Sequence, residues 1–130
     1  MDALSIEVAE RFKEALWKVE KDRDVEPMIQ VLSEDCEVGN VAVPKTFRGH
    51  DEAREFWTSY RKTFDDMEST FRNVFADGDG HAALEWQTEG TADGDSVSYE
   101  GVSILEIDGD RVRRFMAYFD SSVLSRQVVS

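Results

Sequence analysis

The chain has 130 residues, and its 28 acidic against 15 basic side chains give a formal net charge of −13 at pH 7. This length fits one domain spanning residues 1–130, and a hydrophobic fraction of 41% is enough to build a core. The acidic excess would repel phosphate backbones and anionic lipid, and no apolar run is long enough to cross a bilayer. Neither nucleic acid nor a membrane is therefore an expected partner.

Few residues suit redox or metal chemistry. Cys36 is the only cysteine, which excludes an intramolecular disulfide and a zinc site built from cysteines. His50 and His81 are the only histidines, and their separation in the chain gives no metal-binding spacing. We expect no metal and no cofactor. Residues 1–5 lack the basic start and apolar stretch of a secretory signal, which predicts a cytoplasmic location.

The first half of the chain is predicted to form three helices and one strand. Apolar residues at three- and four-residue spacing indicate a first helix from Leu4 to Glu20. A short second helix is expected after Pro27, because proline is tolerated in a first helical turn. A short strand follows from Cys36 to Val41. The third helix begins after Gly49, and its apolar face consists of Ala53, Phe56, Trp57, Tyr60 and Phe64.

The second half is predicted to form a four-stranded antiparallel meander. Asp-Gly-Asp triplets at residues 77–79, 93–95 and 108–110 separate four β-rich runs, and Asp-Gly favours the positive φ of tight hairpin turns. In the second run, the cost of burying carboxylates assigns one face to the core and the other to solvent. The core face has Ala82, Leu84, Trp86 and Thr88, and the outer face has Ala83, Glu85, Gln87 and Glu89.

The outer face of the sheet is predicted to carry an apolar strip. Val102 and Ile104 of the third run point outward, on the same face as Glu85 and Glu100. An apolar strip on a surface that is otherwise charged is typical of a subunit contact. We therefore expect a homodimer that forms through the convex side of the sheet.

The order of these elements resembles that of a known superfamily. Three helices precede a strongly bent meander, and the segments 47–51 (FRGHD), 99–103 (YEGVS) and 117–120 (AYFD) accompany that order. The chain resembles the nuclear transport factor 2-like superfamily, and most closely its SnoaL-like and ketosteroid isomerase-like branches. The resemblance implies a cone-shaped α+β barrel in which three N-terminal helices pack on a strongly curved, mainly antiparallel sheet. It also implies a dimer and an apolar cavity between sheet and helices, but no single chemistry.

The residues that the best-known chemistry of this superfamily requires are missing. The ketosteroid isomerase branch uses a carboxylate base, a Tyr and a neutral Asp around a developing enolate. The resemblance places Asn40 at the base position and Ser103 at the neutral acid, and residues 12–16 contain no Tyr. The limonene epoxide hydrolase branch needs an Arg two residues before an Asp, a spacing that is absent here. Steroid isomerisation is therefore not expected.

A SnoaL-like cyclase needs chiefly one carboxylate that moves protons, and Asp120 is the candidate. Two interpretations of Asp120 stay open, because it follows the last strand and precedes residues that can form a helical turn. It is either the acid/base residue or the cap of that turn. His50 beside Asp51 has a similar ambiguity, since the pair could exchange protons or could begin the third helix.

A set of aromatic residues with few polar partners is predicted to converge inside the cone, either as a plain core or as the walls of a pocket. Its members are Trp57, Tyr60, Trp86, Tyr99, Phe115 and Phe119. With Asn40 and Ser103 to orient it, a small, flat, weakly polar molecule would suit such a pocket. We expect a domain that binds a small hydrophobic molecule. It is either a polyketide-cyclase-like, isomerase or lyase enzyme, or a noncatalytic ligand-binding or dimeric interaction domain.

Overall fold

Three helices pack on one curled, six-stranded sheet in the computed structural model, which describes residues 3–122. The elements in chain order are α1 Ala3–Asp22, α2 Glu26–Val31, β1 Leu32–Asn40, β2 Phe47–Arg48, α3 Gly49–Lys62, β3 Asp66–Ala76, β4 His81–Ala92, β5 Asp95–Asp108 and β6 Arg111–Phe119. This α+β architecture confirms the expected cone, except that the sheet curls without closing into a barrel. No helix within these residues combines the length and apolar character needed to cross a membrane.

The strand order in the sheet is β2-β1-β6-β5-β4-β3. Strands β3 to β6 form the predicted antiparallel meander, and β1 pairs in parallel with β6. The glycines of the three triplets have positive φ values of 77° at Gly78, 84° at Gly94 and 64° at Gly109, as tight turns between strands require. Strand β1 is longer than predicted and starts at Leu32, directly after α2.

The sheet bends where its register shifts and where two strands approach closely. Register shifts lie between Phe71 and Asn73 in β3 and between Val112 and Arg114 in β6, and such bulges bend the strand that carries them. A Cβ atom added at Gly101 would collide with the carbonyl oxygen of Tyr118 and with the ring of Trp86. Glycine at this position therefore lets β5 and β6 fold inward around the Trp86 side chain.

The two faces of the sheet divide as the alternation predicts. Leu84, Trp86 and Thr88 are at most 7% exposed on the inner face, whereas Glu85 is half-buried and Glu89 exposed on the outer face. Strand β5 is divided in the same way. The structure turns four of its residues into the core, and these are Val97, Tyr99, Ser103 and Leu105.

Helix α1 covers the inner face of the sheet, but its buried stripe differs from the predicted one at both ends. Leu4 is 43% exposed, so its place on the stripe was wrong, and Ser5 is buried there instead. At the other end the stripe continues past Val19 to Glu20, which is 3% exposed. The only interior carboxylate that the helices contribute within residues 3–122 therefore comes from the last turns of α1.

Candidate ligand-binding cavity

A cavity of about 220 Å³ lies between α3 and the inner face of the sheet. The hollow resolves one question that the sequence left open, because the converging aromatic residues surround space instead of filling it. All eight residues predicted for ligand binding line this cavity: Asn40, Trp57, Tyr60, Trp86, Tyr99, Ser103, Phe115 and Phe119. Other side chains of its wall include Leu16, Phe47, Phe56, Phe64, Ser69, Thr88 and Ala117.

The walls are held in place by ring-to-ring contacts. On the helix side, the ring of Trp57 lies 5.0 Å from Phe115 and 5.5 Å from Tyr60, measured between centroids. On the sheet side, Tyr99 lies 5.4 Å from Trp86 at 85° and 5.3 Å from Phe119. Tilted and edge-to-face pairs at these distances are favourable, so the aromatic walls are rigid around the hollow.

Three polar groups interrupt the aromatic walls. The indole Nε1 of Trp86 donates to Ser103 Oγ at 2.9 Å. The Oδ1 atom of Asn40 accepts from the backbone nitrogens of Ala42 at 2.9 Å and Val43 at 3.1 Å, so Asn40 organises the loop at the cavity rim. Trp57 differs from both, because its Nε1 is the one buried side-chain nitrogen or oxygen among the described residues that lacks a hydrogen-bond partner.

A buried polar group that the sequence analysis missed adjoins the cavity, and we call it the Glu20 cluster: Glu20, Tyr60, Ser69, Thr88 and Tyr99. The carboxylate of Glu20 accepts from Tyr60 Oη at 2.8 Å, from Ser69 N at 2.7 Å and from Ser69 Oγ at 2.6 Å. Ser69 Oγ lies 2.7 Å from Thr88 Oγ1. The burial of Glu20 is an exception to the rule, applied above to the outer face of β4, that carboxylates lie in solvent.

The helical period contained a signal for Glu20. It follows Leu16 by four residues and so falls on the buried stripe of α1. The period alone does not predict burial of this residue, because a carboxylate without donors stays in solvent. Here three donors from α3 and β3, distant in sequence, satisfy the carboxylate, and no periodicity could have revealed them.

Burial controls the protonation of the Glu20 cluster. It raises the pKa of Glu20, against the opposing effects of the hydrogen bonds from Ser69 and Tyr60. Burial also raises the pKa of Tyr60 well above the usual value for tyrosine, and it raises the pKa of Tyr99. The negative charge of Glu20 raises both pKa values further. Both phenols therefore keep their protons at neutral pH, while Glu20 takes up a proton more readily than an exposed carboxylate.

Buried Arg61 holds the backbone around the cluster in place but does not pair with the Glu20 carboxylate. Arg61 is 6% exposed, and its guanidinium donates to the backbone oxygens of Glu20 at 2.9 Å, Phe64 at 2.7 Å and Asp65 at 3.2 Å. Within residues 3–122 the Glu20 side chain forms no ion pair. Arg61 thus clamps the end of α1 to the end of α3 and holds Tyr60 against Glu20.

The other proton-transfer candidates lie apart from the cavity. Asp120 is exposed, is not among the cavity-lining residues, and accepts from Ser122 N at 3.0 Å and Ser122 Oγ at 2.6 Å, which is the geometry of a cap. His50 lies at the start of α3, with Nε2 2.9 Å from the carbonyl oxygen of Leu32. His81 is paired with Asp77 at a turn, at 2.7 Å. In the described part of the chain, no three His, Cys, Asp or Glu side chains are arranged to hold a metal ion.

Comparisons with known proteins agree with this fold. The model of the SnoaL-like domain family matches residues 9–115. No curated protein matches the sequence.

Solved structures match over nearly the whole chain. TerC crystallised with polyporic acid has a TM-score of 0.84 at 18% identity, covering 98% of this chain and 100% of that one. A protein from Jannaschia sp. CCS1 assigned as a SnoaL-like polyketide cyclase has a TM-score of 0.84 at 15% identity, with 99% and 94% covered. An epoxide hydrolase of M. tuberculosis similar to limonene epoxide hydrolase has a TM-score of 0.76 at 17% identity, with 98% and 91% covered. At these identities the likeness establishes the fold alone.

Proposed function

Because the chain belongs to the SnoaL-like domain family, we propose that it binds a small, flat, hydrophobic molecule in the aromatic cavity. The observation that carries the proposal is the hollow of about 220 Å³ bounded by rigid aromatic walls. Packed cores have few voids larger than a water molecule, so a hollow of this size needs a reason. The eight cavity residues from Asn40 to Phe119 named above are the proposed contacts.

The volume limits the ligand. An apolar cavity of about 150 Å³ holds one benzene molecule, so about 220 Å³ suits one substituted ring or two small fused rings. A four-ring steroid would extend beyond this volume, and the residues that steroid isomerisation requires are missing as well.

Catalysis is the second part of the proposal. The similarity in fold to a protein assigned as a polyketide cyclase supports a cofactor-independent cyclase, isomerase or lyase, with Asp120 as its acid/base residue. The alternative is a noncatalytic ligand-binding or interaction domain, which the exposure and capping contacts of Asp120 support. Asp120→Asn separates the two. It abolishes turnover at unchanged melting temperature in the first case, whereas a fall in melting temperature with unaltered activity would support the cap instead.

We also propose that the protein is a cytoplasmic homodimer formed through the outer face of the sheet. Phe75, Ala83, Ile104 and Met116 are consecutive register partners across β3, β4, β5 and β6, so they form one apolar row. Phe75 is 62% exposed in the single chain. Ile104→Arg should convert the dimer to a monomer in light scattering coupled to gel filtration, whereas Trp17→Arg on α1 should not. A wild-type monomer at all concentrations would refute the dimer.

Ligand binding is tested by calorimetric titration with ethylbenzene, which fits the estimated ligand size. Wild-type protein should bind it, and Ala117→Phe, which fills the cavity, should abolish that binding. Ser98→Phe on the outer face of β5 is the control and should bind like the wild type. Ethylbenzene that fails to bind the folded wild-type protein, or that binds Ala117→Phe equally well, would contradict the proposal. Mass spectrometry of the purified protein then identifies any natural ligand that remains bound.

A further inference from the structure

The Glu20 cluster lies between the cavity and the outside of the protein. Tyr60, Ser69, Thr88 and Tyr99 line the cavity, while Glu20 and Ser69 line a surface groove between α1 and β3. The groove is otherwise bordered by side chains such as Glu10, Lys13 and Trp17. Glu20 therefore contacts the cavity only through the hydroxyls of its partners and reaches solvent from the opposite side.

The hydrogen bonds of the cluster have a fixed direction while Glu20 is ionised. An ionised carboxylate only accepts, so the single protons of the Tyr60 and Ser69 hydroxyls are both directed at Glu20. Ser69 Oγ has then used its proton, so Thr88 must be the donor in the Ser69–Thr88 contact. In this state none of the three hydroxyl protons is available to a molecule in the cavity.

One proton on Glu20 reverses this arrangement. A protonated carboxyl donates to Tyr60 Oη or Ser69 Oγ, which frees the proton of that hydroxyl, or of Thr88 beyond it, to turn toward the cavity. We propose that the Glu20 cluster is a subsite for the carbonyl oxygen of a neutral ligand, and that this subsite forms when Glu20 takes up a proton from solvent through the groove. The inference rests on the proposed function, because it requires a ligand in the cavity.

The charges around Glu20 set the direction of the pH dependence. Lys21 on α1 favours the ionised form, and Arg61 on α3 is held by backbone oxygens, one of them that of Glu20 itself. Glu68 on β3 pairs with Lys21, while β4 contributes only the neutral Thr88 and β5 the neutral Tyr99. Burial outweighs these effects and raises the pKa of Glu20. Ligand affinity should therefore increase as the pH falls through the pKa of Glu20.

Two probes of nearly equal shape separate the subsite from the cavity. Acetophenone carries a carbonyl where ethylbenzene has a methylene group, so calorimetric titration with both, from about pH 5 to about pH 8, isolates the oxygen. Because a buried acceptor without a donor is costly, acetophenone should bind about tenfold more tightly to wild-type protein below the pKa of Glu20 than above it. Ethylbenzene should bind equally at every pH. Circular dichroism at each pH verifies that the protein stays folded.

A matched pair of variants assigns the effect to Glu20. The amide of Glu20→Gln donates as a protonated carboxyl does, so this variant should bind acetophenone tightly at every pH. Glu7→Gln, an exposed position on the same helix, should keep the wild-type dependence. A pH dependence that persists in Glu20→Gln overturns the inference. The inference is also overturned if ethylbenzene binds the wild type and acetophenone binds it equally well at every pH. In that case the proposed function survives. If neither probe binds, both proposals fall.

Two further measurements apply if Glu20→Gln does not fold. NMR titration of the Glu20 carboxyl carbon in wild-type protein should show a higher pKa with acetophenone bound than without it, because the ligand selects the protonated form. An unchanged pKa would overturn the inference. Tyr60→Phe keeps the ring but loses the hydroxyl, so it should weaken acetophenone binding at low pH more than it weakens ethylbenzene binding. Equal effects on both probes would show a purely structural role.

Discussion

The aromatic walls and the Glu20 cluster border the same cavity but are built on opposite principles. The walls consist of rings that contact one another at centroid distances from 5.0 Å to 6.4 Å and that need no specific partner atom. The cluster consists of one carboxylate that is tolerated in the interior only because donors from two other elements meet it. The walls give the cavity its shape, and the cluster places beside it a carboxyl group whose pKa is raised by burial.

The largest effect is expected from breaking the aromatic walls. Trp57 is 1% exposed and contacts Phe12, Phe56, Tyr60 and Phe115, so Trp57→Ala should lower the free energy of unfolding by about 3 to 5 kcal/mol. Trp17 is 54% exposed, and the same substitution there should cost less than about 0.5 kcal/mol. Urea denaturation of both variants makes the comparison. Similar losses would mean that Trp57 does not support the walls.

A smaller effect is expected where the sheet closes around Trp86. Gly101→Ala places a Cβ against Tyr118 and the Trp86 ring, so strain should cost about 1 to 3 kcal/mol. Gly39→Ala is the control, because a Cβ there would lie 3.5 Å from Lys45 O and 3.7 Å from Met116 Sδ, which are ordinary contacts. Thermal unfolding should separate the two variants clearly. If Gly39→Ala were the more damaging change, the close approach at Gly101 would not shape the sheet.

The hydrogen bond that crosses the aromatic wall should have a still smaller effect. Ser103→Ala removes the acceptor of the Trp86 indole at 2.9 Å, and leaving that donor unpaired should cost about 1 to 2 kcal/mol. Ser103→Thr keeps an acceptor and serves as the conservative control. Urea titration of both variants measures the difference. Equal stability of the alanine variant and the wild type would indicate that another group accepts the indole proton.

The Glu20 cluster should change how the free energy of unfolding depends on pH, and this effect should be smaller than the stability losses above. Since the folded pKa of Glu20 lies above the unfolded one, the folded state retains a proton that the unfolded state has already lost. The free energy of unfolding should therefore fall as pH rises from the unfolded to the folded pKa, and then level off. In Glu20→Gln this component of the slope should disappear, and in Glu7→Gln it should remain. A slope that is identical in all three proteins would contradict the assigned burial.

The contrast also explains what the sequence could predict. Turn triplets, alternation in β4 and the apolar face of α3 are local patterns, and they predicted the meander and the converging aromatic set. The cone and the places of Asn40 and Ser103 came from the resemblance in element order. The choice between packed core and hollow depends on how far apart Trp57 and Trp86 are held, which no local pattern encodes. In the Glu20 cluster, Glu20 contacts Tyr60 and Ser69, which follow it in the chain by 40 and 49 positions. Local sequence patterns therefore could not predict these donors.

The central claim is that the cone encloses a hollow that accepts a small aromatic molecule. Intermolecular NOEs between ethylbenzene and the protein test it most directly, because they report both occupancy and place. The account predicts NOEs from the ligand ring to the side chains of Trp57, Trp86 and Phe119, which line the cavity. Ligand contacts confined to exposed residues such as Trp17 and Phe75, or no contacts at all, would contradict it.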